Sequence, residues 1–217
     1  MITDFFSLFK ENIFTVKKSV FLVLTLAIPV AIFLFLKFFG DNAFEVPILF
    51  DDGITGCPNS IGAHVVPEFE YVGEGGEKIN SSKHKDFLVF GVLDVATPKI
   101  NKELFVELVR IQDAFYETGV PYFVLFIKGN PEEASELRTS LREIGLMKQY
   151  GDIAYMDENT LEEFLTCGIA LIKNKTESFT NFVLVDTHRR IRGFYDGLDM
   201  KETDRLILEL RILKSKS

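Results

Sequence analysis

The side chains able to do covalent or metal chemistry are few and scattered. Cys57 and Cys167 are the two cysteines, and His64, His84 and His188 the three histidines; no CxxC or CxxxC spacing occurs. Two thiols so far apart do not define a disulfide framework, and sequence leaves open whether the fold brings them together. If it does, thiol–disulfide exchange with Cys57 as nucleophile and Cys167 as resolving partner becomes available. Otherwise one thiol is expected to pack and the other to sit in a loop. Cys57 stands in "GITGCPNS", close to Asp51 and Asp52, whose charges oppose a thiolate. Cys167 falls at a predicted helix end, where the negative pole of the helix dipole opposes one too. Cys57, His64, Asp51 and Asp52 match no common metal-ligand spacing, so neither a metal nor a cofactor is expected. His84, within the charged "SSKHKD", and His188, in a predicted turn, are both expected to be exposed.

A further position deserving chemistry is the junction "FLVFGVLDVATPK", residues 87–99. It reads as a buried strand that runs through a short loop into a helix starting at a proline. Such a helix N-terminus can activate a thiolate, yet the loop holds Leu93, Asp94, Val95, Ala96 and Thr97. Asp94 is read as a polar side chain facing solvent or the start of the helix. Thr97 is the expected N-cap and Pro98 the first helical residue. Arg189, Arg190 and Arg192 form a basic cluster, read as a solvated hairpin edge.

These residues need elements to position them. The chain has 217 residues and a formal net charge of −8. After residue 40 it carries 20 Lys/Arg against 30 Asp/Glu. So acidic a region repels phosphate backbones, which excludes nucleic acid as an expected partner. From Ser19 to Leu36 runs "SVFLVLTLAIPVAIFLFL", without a charge. At helical rise it spans roughly 27 Å, near the thickness of a bilayer core. The expected layout is a short cytoplasmic N-terminus (1–18), a transmembrane anchor in contact with lipid (19–39), an extended lead-in (40–66) and a folded domain (67–217). Lys10, Lys17 and Lys18 precede the apolar run and only Lys37 follows closely. That bias places the N-terminus in the cytoplasm and the domain outside it, single-pass, in the periplasm if the source is bacterial.

Within the domain, strand and helix signals alternate. The strand over 86–95 leads to a helix with Ile100, Leu104, Leu108, Ile111 and Phe115 on one stripe, ended by Gly119. A strand over 121–127 precedes a helix that starts at Asn130 and Pro131, carries Leu137, Leu141 and Ile144, and closes at Gly145. A weaker strand at "DIAYM" follows. Asn159 and Glu162 predict a capping box for a short helix. "FVLVD" and "IRGFYDG" predict a hairpin, and Asp199 with Glu202 a second capping box before a last helix with Leu206, Leu210 and Leu213. Crossover helices between parallel strands, then an antiparallel hairpin and a closing helix, predict an α/β sandwich with a central mixed sheet flanked by helices, preceded by one N-terminal transmembrane helix; the layout is thioredoxin-like, but the pattern alone does not single out a thioredoxin-like fold among α/β folds.

The closing segment "NFVLVDTHRRIRGFYDGLDMKETDRLILELRILK" (181–214) resembles the end of the SCO/SenC family, membrane-anchored proteins of thioredoxin-like fold. "VPEFEYVGEGGEKINSSKHKDFLVFGVLDV" (66–95) resembles that family's opening strand and hairpin. The resemblance covers roughly residues 60–214. It implies a role in maturing the copper centre of cytochrome c oxidase, with copper held by a CxxxC at the junction and a His before the FxLxD strand. Soft thiolates suit Cu(I) and imidazole accepts Cu(II). Here Leu93 and Thr97 fall where the cysteines would be, and Ser178 near the expected His. No cysteine lies between Cys57 and Cys167. The expectation is a degenerate member, more a binding partner than an enzyme, working as an accessory factor in oxidase assembly through a protein partner. The competing expectation is a membrane-tethered thiol–disulfide oxidoreductase using Cys57 and Cys167.

Overall fold

The computed structural model describes residues 21, 23–35, 37, 45–58, 62–130, 134–143, 145, 150–171 and 181–216. It forms two compact units, Met1–Glu45 and Val46–Ser217. In the first, residues 23–35 are helical, with apolar side chains such as Phe21, Leu26 and Phe33 largely exposed. Among the described residues no helix is long and apolar enough to cross a membrane. Several residues of the expected anchor 19–39, namely 19, 20, 22, 36, 38 and 39, lie outside the described residues.

The second unit is built on a five-stranded sheet. In chain order it contains β1 (Glu70–Val72), β2 (Lys78–Asn80), β3 (Leu88–Asp94), α1 (Pro98–Ala114), β4 (Tyr122–Lys128), α2 (Ser135–Glu143), β5 (Gly151–Ala154), α3 (Glu158–Glu163), β6 (Asn181–Val185), β7 (Ile191–Asp196) and α4 (Met200–Ser215). The strand order is β5-β4-β3-β6-β7, and β1 pairs β2 in a separate hairpin. β3, β4 and β5 are parallel, whereas β6 runs antiparallel to β3, and β7 to β6. The expected mixed sheet is therefore present. Parallel neighbours need crossovers, which α1 and α2 supply; β6 and β7 need only the tight turn at 187–190.

The two faces of β3 and β4 make two cores, because side chains alternate along a strand. Val89, Leu93, Phe123, Leu125 and Ile127 face Leu104, Leu108 and Ile111 of α1 and Leu206 and Leu210 of α4. Leu88, Phe90, Val92, Val124 and Phe126 face Phe164, Leu165 and Ile169 beyond α3, together with Phe69 and Ile54. Phe69 and Phe164 meet with ring centroids 4.4 Å apart. Ile54 and Val66 come from the stretch that the sequence sets apart as a lead-in. Both residues are packed in the core of the unit that begins at Val46. Leu49 and Val66 are fixed beside β7, Leu49 N to Ile191 O at 2.9 Å and Val66 N to Arg189 O at 2.8 Å.

Local caps differ from expectation. α1 begins at Pro98 as predicted, but the Thr97 hydroxyl makes no capping bond; it turns back to donate to the Asp94 carbonyl at 3.2 Å. α3 is capped two residues before Asn159, by Asp157 accepting from Thr160 N at 3.0 Å. α4 has its expected N-cap, Asp199, whose carboxylate accepts from Lys201 N at 2.9 Å. Glu202 does not close a box there, because it binds the Arg205 guanidinium instead. The arginine cluster is not a solvated edge. Asp186, buried at the hairpin, accepts from Arg190 Nε at 2.9 Å and from Arg192 Nη1 at 3.3 Å. Arg192 is itself buried and also donates to the Val46 carbonyl at 2.5 Å.

Candidate functional site

At the end of β3 the chain leaves the sheet, which is where parallel α/β sheets present ligand-binding loops. Leu93 points into the core and is 1 % exposed. The Asp94 carboxylate accepts from Ala96 N at 2.9 Å and faces Lys128 Nζ at 3.5 Å. Its carbonyl accepts from Thr97 N at 3.0 Å, from the Thr97 hydroxyl and from Asn101 Nδ2 at 2.7 Å. Asn101 is buried on α1. Gly129, after β4, packs so close that a Cβ there would meet Val95 Cγ2 at 2.3 Å. The polar groups of this junction are thus engaged in holding the turn. Leu93 and Thr97 offer no thiolate, and Ser178 lies outside the described residues. Among the described residues no cluster of three or more metal-ligating side chains occurs.

The two cysteines are together after all. Cys57 and Cys167 form a disulfide, with Cα atoms 5.5 Å apart across 110 residues of sequence. The expectation of one packed and one loop thiol does not hold. A run of turns carries Cys57, closed by Cys57 N donating to Ile54 O at 3.1 Å. Cys167 lies in a π-helical turn, Phe164–Gly168, that continues α3, with Ile169 N reaching back to Phe164 O at 2.9 Å. Such π-turns displace one residue from the α-helical register, which sets Cys167 on the side that meets Cys57. The His64 ring donates from Nε2 to the Gly168 carbonyl at 2.7 Å. Beside these contacts is a cavity of about 530 Å³, bordered by His64, Phe69, Met156, Glu163, Phe164 and Cys167.

A second polar cluster was not anticipated. The His84 side chain is 4 % exposed, not free in solvent as "SSKHKD" suggests. Its ring packs on Tyr122 with centroids 4.3 Å apart. Tyr71 donates its hydroxyl proton to Asp152 Oδ2, so at 2.8 Å His84 Nε2–H donates to the Tyr71 oxygen. Lys83 Nζ completes the group, 3.0 Å from Asp152 Oδ2. Burial, with Lys83 beside it, lowers the His84 pKa to about 4. Burial and the hydrogen bond to Asp152 raise that of Tyr71. Burial works against ionised Asp152, but the hydrogen bonds from Tyr71, Lys83 and Tyr122 outweigh it and keep the carboxyl below its ordinary value. A neutral imidazole, two neutral phenols and one carboxylate paired to Lys83 make a satisfied structural network at the start of β4 and β5. His188 is exposed, as expected.

No protein-family model matches the chain. No curated protein matches it in sequence either. Its architecture does have counterparts, and they define the class: a thioredoxin-like fold shared with SCO1/SenC family proteins. BsSco, a member of the Sco family of cytochrome c oxidase assembly proteins, aligns with a TM-score of 0.58 at 12% identity, over 71% of this chain and 96% of its own. A SCO1/SenC family lipoprotein from Bacillus anthracis str. Ames aligns with a TM-score of 0.56 at 14% identity, over 69% and 94%. Arabidopsis thaliana ScoI, solved with copper bound, aligns with a TM-score of 0.52 at 14% identity, over 69% and 99%. At these identities the likeness is one of fold.

Proposed function

We propose that this chain is a SCO-like accessory factor for assembling a respiratory oxidase and its copper centre, acting by binding a protein partner rather than by redox or copper chemistry at the β3–α1 junction. In this reading residues 19–39 anchor it in the membrane and the domain lies on the extracytoplasmic side. The apolar run and its flanking lysines support the anchor. The observation that carries the binding role is the junction itself. Leu93 is packed in the core, and Asp94, Thr97 and Asn101 are joined in one hydrogen-bonded turn. A thiolate–imidazole copper site needs sulfur and imidazole donors, and at this junction Leu93 and Thr97 supply neither.

Cu(I) titration of the full-length chain with its disulfide intact tests the reading. The expected result is no stoichiometric binding in competition with a Cu(I) chelator. Stoichiometric binding that survives such competition would overturn it.

A further inference from the structure

The disulfide has a geometric setting that a plain staple does not need. One wall of the 530 Å³ cavity comes from described residues ahead of β1, among them Gly53, His64 and Val65; the other is α3 and its π-turn, contributing Thr160, Phe164 and Cys167. Among the described residues Cys167 borders the cavity and Cys57 does not. Both cysteines are half-buried. Attack on a disulfide needs approach to one sulfur by a thiolate, and the cavity gives that approach to Cys167. The first wall is held at its ends by the bonds to Ile191 and Arg189. Between those ends, the Cys57–Cys167 bond and the hydrogen bond from His64 to Gly168 tie it to the π-turn. Cutting the covalent tie leaves the ends and the core residue Ile54 in place, leaves the His64 hydrogen bond to hold alone, and loosens the turn that carries Cys57.

We propose that Cys57–Cys167 is an exchangeable clasp on this cavity, opened by the dithiol of a partner protein that enters at Cys167. The inference is independent of the assembly role. The partner's thiolate attacks Sγ of Cys167, forms a mixed disulfide and expels Cys57 as a thiolate, which takes a proton. The partner's second thiol then attacks the mixed disulfide, and Cys167 leaves and is protonated. Two electrons and two protons pass to the cysteine pair, and the partner's dithiol becomes a disulfide. Glu68, Glu70 and Glu163 border the cavity, with no Lys or Arg among its described lining residues; Glu68 also faces Arg189 at 3.5 Å. This acidic rim selects a partner with a basic surface around its thiol.

The test uses the full-length oxidised chain at low ionic strength and two small monothiols, cationic cysteamine and anionic glutathione, at matched thiolate concentrations. Samples are acid-quenched, alkylated and read by peptide mass. The expected product carries the thiol adduct on Cys167 and the alkyl group on Cys57, and forms several-fold faster with cysteamine. E163Q narrows that rate ratio. An adduct on Cys57, equal rates for the two thiols, or reaction only after denaturation would overturn the proposal. Hydrogen exchange then reads the opening. After reduction by dithiothreitol, amides of residues 55–57 are expected to exchange about tenfold faster, with 183–185 and 191–195 unchanged. The C57S/C167S double variant, without reductant, is expected to show the same pattern. Unchanged exchange in both would overturn the loosening of this turn.

Discussion

The buried side-chain amide of Asn101 donates to the Asp94 carbonyl at 2.7 Å, and so locks the first turn of α1 to the last residue of β3. This bond fixes the β3–α1 junction. N101A removes one of three donors to that carbonyl, which keeps the Thr97 amide and hydroxyl, so the expected loss is that of one hydrogen bond, about 0.5–1.5 kcal/mol. Urea denaturation of the oxidised chain followed by circular dichroism measures it. N101D, which cannot donate there when ionised, is expected to be no better than N101A.

Asp186 predicts a larger effect. Its Oδ1 accepts from His188 N and Arg190 N, both at 2.9 Å, while Oδ2 serves Arg190 and Arg192. D186A strands the buried Arg192 charge and removes the acceptor for the turn. Breaking one side of a buried pair costs about 3–5 kcal/mol. D186N keeps the two backbone bonds and is expected to lose less. Equal denaturant midpoints for D186A and the parent chain would contradict this account of the hairpin.

The His84 network makes stability depend on pH in a defined direction. Folded His84 titrates near 4, below its ordinary 6.5. Between those values the unfolded chain binds the proton and the folded chain does not, so stability falls as pH drops from about 6.5 to about 4. Below that the His84 contribution is constant, and protonation of Asp152, held below its ordinary value, removes further stability. Urea midpoints at pH 7 and pH 5 are expected to differ in the parent chain and to converge in H84F. Identical midpoints in the parent would contradict the burial of a neutral imidazole.

Much of the fold was legible because its signals are local. Val- and Phe-rich runs marked β3 and β4, Pro98 marked the start of α1, and the spacing of Leu104, Leu108 and Ile111 marked its buried face. That the sheet mixes parallel and antiparallel strands followed from the crossovers and the hairpin; the strand order did not. The cysteine pair was not legible, since Cys57 and Cys167 meet only through the packing of Ile54 and Val66 into the second core, the bonds of Leu49 and Val66 to the hairpin, and the π-turn after α3. His84 was misread for a related reason. The 3₁₀ turn Ser81–Lys83, capped by the Asn80 side chain, reverses the chain, and the ring lands on Tyr122 in spite of its charged sequence neighbours. The arginines were misread because Asp186, part of an apparent strand, turned out to be the acceptor at their centre. Asp157 won the α3 cap from Asn159 by lying three residues before Thr160, the amide that it accepts from.

The central claim is that this SCO-like domain, with its ligand junction filled, works by binding in oxidase assembly. Affinity purification of the full-length protein from detergent-solubilised cells of its native host, with quantitative mass spectrometry of what co-purifies, tests it most directly. The account predicts enrichment of terminal oxidase subunits or their copper-centre assembly factors over an unrelated protein purified in the same way. Enrichment of neither, from membranes that contain an assembled oxidase, would contradict it.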